Sequence, residues 1–202
     1  MKKLRIALDV DGVLANFIAG ALGVVEEVTG RRYAEADVTL WDYTKALNLS
    51  PTEGGAVKAA IGARRGFAES LEPYPEALQG VRRLREWGDV FCVTSPWESN
   101  PWWRAEREAW CLQHFGIGAV HHAHDKTGYE ADIFVDDKPA HVSAWKAAWP
   151  HRTAVFLRSP CKAEEVPQGA HGMYSWDEIC ALAREVACSP ARPSFPLGEK
   201  SR

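Results

Sequence analysis

The chain has 202 residues, of which 46% are hydrophobic and 25% charged, and its formal net charge is −3. That length suits one α/β domain with a sizeable insertion, or two small domains. The lack of a strongly basic stretch speaks against duplex nucleic acid as the main partner but leaves a single nucleotide open, and no apolar run approaches a membrane span, so no membrane partner is expected.

Leu4, Ile6 and Leu8 alternate with other residues, and Val10 and Val13 follow. This predicts a buried strand running into a turn. Asp9 and Asp11 sit at its end, and a period of two places both on one side of a strand. Like charges held that close need compensation, and a hard cation bound by oxygen is the candidate. Gly12 frees the backbone to turn just after the pair. From Asn16 to Thr29 the residues Phe17, Ile18, Ala21, Leu22, Val24, Val25 and Val28 recur at helical spacing, with Gly30 as a stop. Val38 to Tyr43 is aromatic and predicts a loop or short turn. A second helix is predicted from Pro51, with Ser50 as its cap and Val57, Ala60 and Ile61 on its apolar face.

Residues 15–72 show no strand pattern and are predicted to be a small helical insertion. After it, Pro73 to Pro75 precedes a helix carrying Leu78, Val81 and Leu84, which Gly88 is expected to end. Asp89 to Thr94 is a predicted buried strand. Pro101 opens a helix through Trp103, Trp110, Leu112 and Phe115, closed by Gly116. Further strands are predicted near Ala119 to His122, over Asp132 to Asp137 and over Thr153 to Leu157. Helices are predicted over Pro139 to Trp149 and Ser175 to Ala187. Strands alternating with helices imply an α/β fold, a Rossmann-like parallel sheet with helices on both faces. The expected division is a core of 1–14 and 73–188, a cap of 15–72, and a proline-rich disordered tail of 189–202. Five scattered cysteines, no CxxC pair and no secretory signal predict a reduced, cytoplasmic setting.

Three predicted strands end in reactive polar groups: Asp9 and Asp11, Thr94 and Ser95, and Asp136 and Asp137, with Lys126 a few residues upstream of the last pair. Parallel neighbours would bring these groups to one edge, where ligands of such sheets bind. Carboxylates with a divalent cation, and hydroxyl and ammonium donors beside them, suit a phosphate ester. The ordered set Asp-Val-Asp-Gly-Val, Thr-Ser, Lys, Asp-Asp resembles the four motifs of the haloacid dehalogenase superfamily. Within it the chain is most similar to the 5′(3′)-deoxyribonucleotidases. Supporting stretches are Leu8 to Ala15, Gly66-Phe67, Leu71 to Pro75, Val90 to Pro96, Asp125 to Thr127, Val135 to Lys138 and Ser175-Trp176. The match runs from the first strand to the last helix and is patchy inside the insertion.

The resemblance implies a Mg²⁺-dependent phosphomonoesterase of (deoxy)nucleoside monophosphates. Asp9 would be the nucleophile and Asp11 the proton donor and then the base. Mg²⁺ would be held by Asp9, the Asp11 carbonyl and Asp137, with Asp136 behind them or on a metal-bound water. Thr94, Ser95 and Lys126 would bind the phosphate oxygens. The insertion would cap the site, with Phe17 and Trp41 walling base or sugar and Phe67 either lining the pocket or packing the cap. Asn16 stands where the family carries an acidic residue and is a candidate partner for a ribose 2′-hydroxyl. Two other readings stay open: a phosphatase of another small ester or a terminal nucleic-acid phosphate, and a catalytically silent nucleotide-binding homologue. A homodimer also stays open. Among weaker features, His121, His122 and His124 raise a transition-metal site, and one of Trp97, Trp102 and Trp103 could approach substrate.

Overall fold

The computed structural model describes residues 3–158 and 163–189. Six strands form one parallel sheet in the order β3-β2-β1-β4-β5-β6. They are β1 (Leu4–Leu8), β2 (Gly88–Thr94), β3 (Val120–His122), β4 (Ile133–Asp136), β5 (Thr153–Leu157) and β6 (His171–Met173). The helices are α1 (Phe17–Thr29), α2 (Tyr43–Ala46), α3 (Pro51–Ala63), α4 (Pro75–Leu84), α5 (Trp103–Phe115), α6 (Pro139–Ala148) and α7 (Trp176–Cys188). The sheet grows outward from β1 in both directions, so β1 is flanked by β2 and β4. That reversal of strand order is where open α/β sheets bind ligands.

Strand alternation divides the core in two. Leu4, Ile6, Leu8, Ile133, Val135, Val155 and Leu157 pack into one apolar cluster, together with buried residues of α4, α5 and α7. Ala7, Phe134, Ala154 and Phe156 point the other way and meet Val142 and Trp145 of α6. Both faces of the sheet are thus covered, as a parallel sheet requires.

Local signals account for most boundaries. Gly30 and Gly116 close α1 and α5 in the left-handed conformation, at φ 68° and 62°. Ser50 and Ser175 each cap a helix through a reciprocal bond with a glutamate three residues on, Glu53 and Glu178. Residues 15–72 contain helices and no strand; among the described residues the extended pairings there are two isolated bridges, Ala15 with Asp11 and Ala15 with Pro73.

Three expectations need correction, and two short elements carried no signal. The β1 strand stops at Leu8, so Asp9 and Asp11 lie in the turn beyond it, where strand alternation no longer governs their directions. Gly88 does not end α4, which stops at Leu84; it opens β2, where any Cβ would run into the Leu4 backbone. Leu112 is 59% exposed, because α5 turns Trp103, Arg107, Trp110 and Cys111 inward instead. The short edge strand β6 and the single turn α2 give too few residues for a periodic signal. The expected tail lies, from residue 190 onward, outside the described residues.

Candidate active site

The site lies where the chain leaves β1, β2 and β4. Asp9 continues the sheet with its amide, which donates to the Val135 carbonyl at 2.9 Å. Its Oδ1 accepts from the Val10 amide at 2.8 Å and lies 2.9 Å from Lys126 Nζ. Gly12 then turns the chain at φ +78°, and an added Cβ there would collide with the Asp137 carboxylate. Only glycine meets both demands.

Lys126 is buried and pairs with two carboxylates, Asp9 at 2.9 Å and Asp136 at 2.6 Å. Its loop is pinned from α6 and its C-cap: the Trp145 and Trp149 indoles donate to the Tyr129 and Thr127 carbonyls, both at 2.9 Å. Asp136, fully buried, also accepts from the Lys138 amide at 2.8 Å and lies 3.2 Å from His141 Nδ1. Asp11 turns elsewhere. Its Oδ1 accepts from Arg107 Nη2 at 2.6 Å, and Arg107 is wholly buried on α5.

Burial pushes the Asp9 carboxyl up to about 6, with Lys126 opposing and Asp136 and Asp11 adding to the rise. Burial also raises Asp11, against the pull of Arg107 and Lys126. Asp137 is driven well above the carboxylate range, first by burial and then by Asp136 and Asp9. It has no hydrogen bond or ion pair among the described residues. Burial works against charge on Asp136 too, but Lys126 and His141 outweigh it and hold that carboxyl low. Lys126 is raised by the same two carboxylates despite its burial.

These carboxyls fit a hard divalent cation. Asp9 and Asp137 are buried, crowded by like charge, and short of one compensating positive group. Asp9, Asp136 and His141 also come within ligand distance of one another. However, Lys126, His141 and the Lys138 amide already satisfy Asp136, which makes Asp137 the better second carboxylate.

In front of this cluster opens a cavity of about 320 Å³. Its floor is Asp9, Asp11, Gly12, Ser95 and Asp137. Its walls are aromatic: Phe17, Trp41 and Tyr43 from the insertion face Trp97 and Trp103 from the core. Phe17 stacks on Trp97, with ring centroids 6.0 Å apart. Trp41 is capped by Lys138 Nζ, 4.2 Å from its ring centre.

Of the residues expected at the site, Asp9, Asp11, Ser95, Asp137, Phe17 and Trp41 line the cavity. Thr94, Lys126 and Asp136 lie beneath it, and the buried Thr94 hydroxyl has no hydrogen-bond partner among the described residues. Phe67 is not on the lining. It is 3% exposed, stacked on Trp103 and edge-on to Phe17, so it packs the wall from behind. Asn16 is engaged elsewhere: it caps α1 through the Ala19 amide, accepts from the Tyr74 hydroxyl and donates to Glu35. The three histidines do not converge; His122 and His124 pair with Glu108 and Glu98, and His121 packs on Tyr129.

Sequence reasoning missed Arg107, Tyr43 and His141. For Arg107 a signal existed: it occupies the inward stripe Trp103, Arg107, Trp110 at spacings of four and three.

A family model described as "5′ nucleotidase, deoxy (Pyrimidine), cytosolic type C protein" matches residues 2–184. The human cytosolic-type 5′(3′)-deoxyribonucleotidase is 32% identical over 149 residues, which cover 68% of this chain and 72% of that one. The human mitochondrial 5′(3′)-deoxyribonucleotidase is 30% identical over 163 residues, covering 74% and 69%. Among solved structures, L-2-haloacid dehalogenase from Xanthobacter autotrophicus with covalently bound chloropropionic acid superposes with a TM-score of 0.56. It is 11% identical, and the match covers 91% of this chain and 99% of that one.

Proposed function

From a chain that belongs to the cytosolic type C 5′ nucleotidase family, and is therefore a phosphatase of the haloacid dehalogenase type, we propose an enzyme that hydrolyses deoxynucleoside monophosphates through an aspartyl-phosphate. One observation carries this reading: a buried carboxylate cluster around Lys126 opens directly into a cavity walled by aromatic rings. The first feature suits phosphoryl transfer and the second suits a base.

Asp9 attacks phosphorus with its carboxylate, and the bond from phosphorus to the sugar oxygen breaks. Asp11 gives its proton to that oxygen as it leaves. In the second half, Asp11 takes a proton from water while the water oxygen attacks phosphorus and the Asp9 carboxylate is released. Lys126 keeps Asp9 in place and balances charge as phosphate arrives. Ser95 on the floor donates to a phosphate oxygen, and the unpartnered Thr94 hydroxyl beneath is a second donor. Asp9, Asp137 and the Asp11 carbonyl would hold Mg²⁺, which would supply charge compensation between carboxylate and phosphate.

Phe17 and Ile18 give the sugar a dry wall, and Asn16 has its polar atoms spent elsewhere. A ribose hydroxyl buried there without a partner costs roughly 1–3 kcal/mol. Deoxynucleotides are therefore preferred about 10- to 100-fold, the limit for an apolar pocket facing an added hydroxyl. The four described cysteines are all free, which supports a reducing, cytoplasmic setting. The test is kcat/KM for dUMP and dTMP against UMP in Mg²⁺; equal values would remove the apolar-wall argument.

A further inference from the structure

A wholly buried arginine stands between Asp11 and the place where the helical insertion returns to the core. Arg107 Nη2 donates to Asp11 Oδ1 at 2.6 Å, and Nη1 donates to the Ala68 carbonyl at 3.2 Å. Its guanidinium lies over the Trp103 and Trp110 rings, 5.1 and 5.4 Å from their centres. The preceding residue, Glu106, is buried as well and accepts from the Gly66 amide at 2.6 Å and the Ala68 amide at 3.2 Å. Two consecutive residues of α5 therefore hold residues 66–68 and, through Arg107, the Asp11 carboxyl.

Burying a guanidinium is costly unless it is paired; this one donates from both terminal nitrogens, while its Nε finds no hydrogen-bond partner among the described residues. Packing alone would be met by an apolar side chain between the two tryptophans. What an apolar side chain cannot do is fix a carboxyl by one oxygen. Arg107 takes Oδ1 of Asp11, while Oδ2 has no hydrogen bond among the described residues and Asp11 lines the cavity.

We propose that Arg107 is a positioning residue: it fixes the direction of the Asp11 carboxyl toward the reacting phosphate and registers that direction to the return segment of the insertion. This rests on the reading of Asp11 as proton donor and base. Phosphorylation of Asp9 by a nucleotide needs a proton on the departing alkoxide. Phosphorylation by p-nitrophenyl phosphate does not, because nitrophenolate leaves unaided; the water attack that follows needs Asp11 for both substrates.

The experiment compares wild type, Arg107→Gln, Arg107→Lys and Asp11→Asn on dUMP and on p-nitrophenyl phosphate, with burst kinetics and intact mass for the phosphoenzyme. For Arg107→Gln we expect kcat on dUMP to fall about 100-fold, within the span of general acid–base effects, with KM little changed. On p-nitrophenyl phosphate it gives a burst of nitrophenolate equal to the enzyme, and a phosphoenzyme accumulates. Arg107→Lys keeps the cation, retains the fold and recovers part of kcat, with a smaller burst. Wild-type rates in Arg107→Gln, or an equal loss on both substrates with no burst in either variant, would overturn the proposal. Should Arg107→Gln not fold, Arg107→Lys alone decides it: a lowered kcat on dUMP with a burst supports the role, and no burst overturns it. Asp11→Asn separates the two readings. If it fails to trap a phosphoenzyme from p-nitrophenyl phosphate, the roles of Asp9 and Asp11 are wrong and the inference falls with them. If it traps one and the Arg107 variants do not, only the inference fails.

Discussion

The missing side chain at Gly12 decides how near Asp137 comes to the turn carrying Asp9 and Asp11. Gly12→Ala adds a Cβ into that carboxylate and also strains a backbone at φ +78°. We expect a stability loss on the order of 1–3 kcal/mol and a collapse of activity, read by thermal unfolding and by hydrolysis of dUMP. Asp137→Asn should separate function from stability. The Asp137 carboxyl is raised above its unfolded value, so the metal-free fold loses stability as pH climbs past the ordinary carboxylate range, and the deficit is complete only above the raised value. Removing that charge should make the metal-free variant more stable than wild type, by an amount that grows from pH 5 to pH 8. The same variant should be inactive. A variant less stable than wild type at pH 8 without metal would contradict the crowded-carboxylate account. Asp9→Asn should abolish turnover with the fold intact, since an amide forms no acyl phosphate; full-rate hydrolysis by it would end the nucleophile assignment. At this scale the residues proposed to react could be picked out of the sequence because they form an ordered set at strand ends, and the structure brings them to one place. Arg107 was not, because a lone arginine on a helix is ordinarily solvated, and only its place among tryptophans sets it apart.

At the scale of elements, α1 and α5 build the pocket from opposite sides. Phe17, the first residue of α1, stacks on Trp97, and Phe67 packs behind Phe17 and Trp103, the first residue of α5. Phe17→Ala should raise KM for dUMP about tenfold or more, since base–aromatic stacking is worth roughly 1–3 kcal/mol. Its rate on p-nitrophenyl phosphate, which has no base, should stay near wild type. Equal loss on both substrates would mean that Phe17 is framework and not pocket. α5 is also the anchor of the insertion. Besides Glu106 and Arg107, Asn100 just before it donates to the Ile61 and Arg64 carbonyls, and the Trp110 indole donates to the Leu71 carbonyl at 2.7 Å. The helices of the insertion could be read from capping and periodicity. The way they are tied down could not, because it rests on side chains reaching backbone groups roughly 40 residues away, and neither periodicity nor local propensity encodes such pairs.

For the whole molecule, the strand order places β1 between β2 and β4 and so brings three distant stretches of sequence to one edge. Alternation of strand and helix predicted a parallel sheet and its ligand-binding edge. The edge strand β6 escaped, since three residues with a glycine at the centre carry no pattern. The cavity was legible only in part, because Tyr43 and His141 enter through loops and helix starts whose paths depend on tertiary packing. The proposed Mg²⁺ site belongs to this assembled edge. Chelation should silence the enzyme, Mg²⁺ should restore it, and Ca²⁺ should do so poorly because it prefers longer bonds and more ligands. Mg²⁺ at about 100 times its Kd should stabilise the fold by about 2.7 kcal/mol if it binds only the native state.

The central claim is that the carboxylate edge and the aromatic cavity act together on one substrate, a deoxynucleoside monophosphate. The measurement that tests it most directly is kcat/KM in Mg²⁺ across a panel of deoxynucleotides, ribonucleotides, sugar phosphates and other small phosphate esters, with Asp9→Asn as the blank. The account predicts that dUMP or dTMP leads the panel, that the ribonucleotides follow about 10- to 100-fold lower, and that Asp9→Asn is inactive on every member. Turnover led by a sugar phosphate, or no turnover of any nucleotide by folded, Mg²⁺-loaded enzyme, would contradict it.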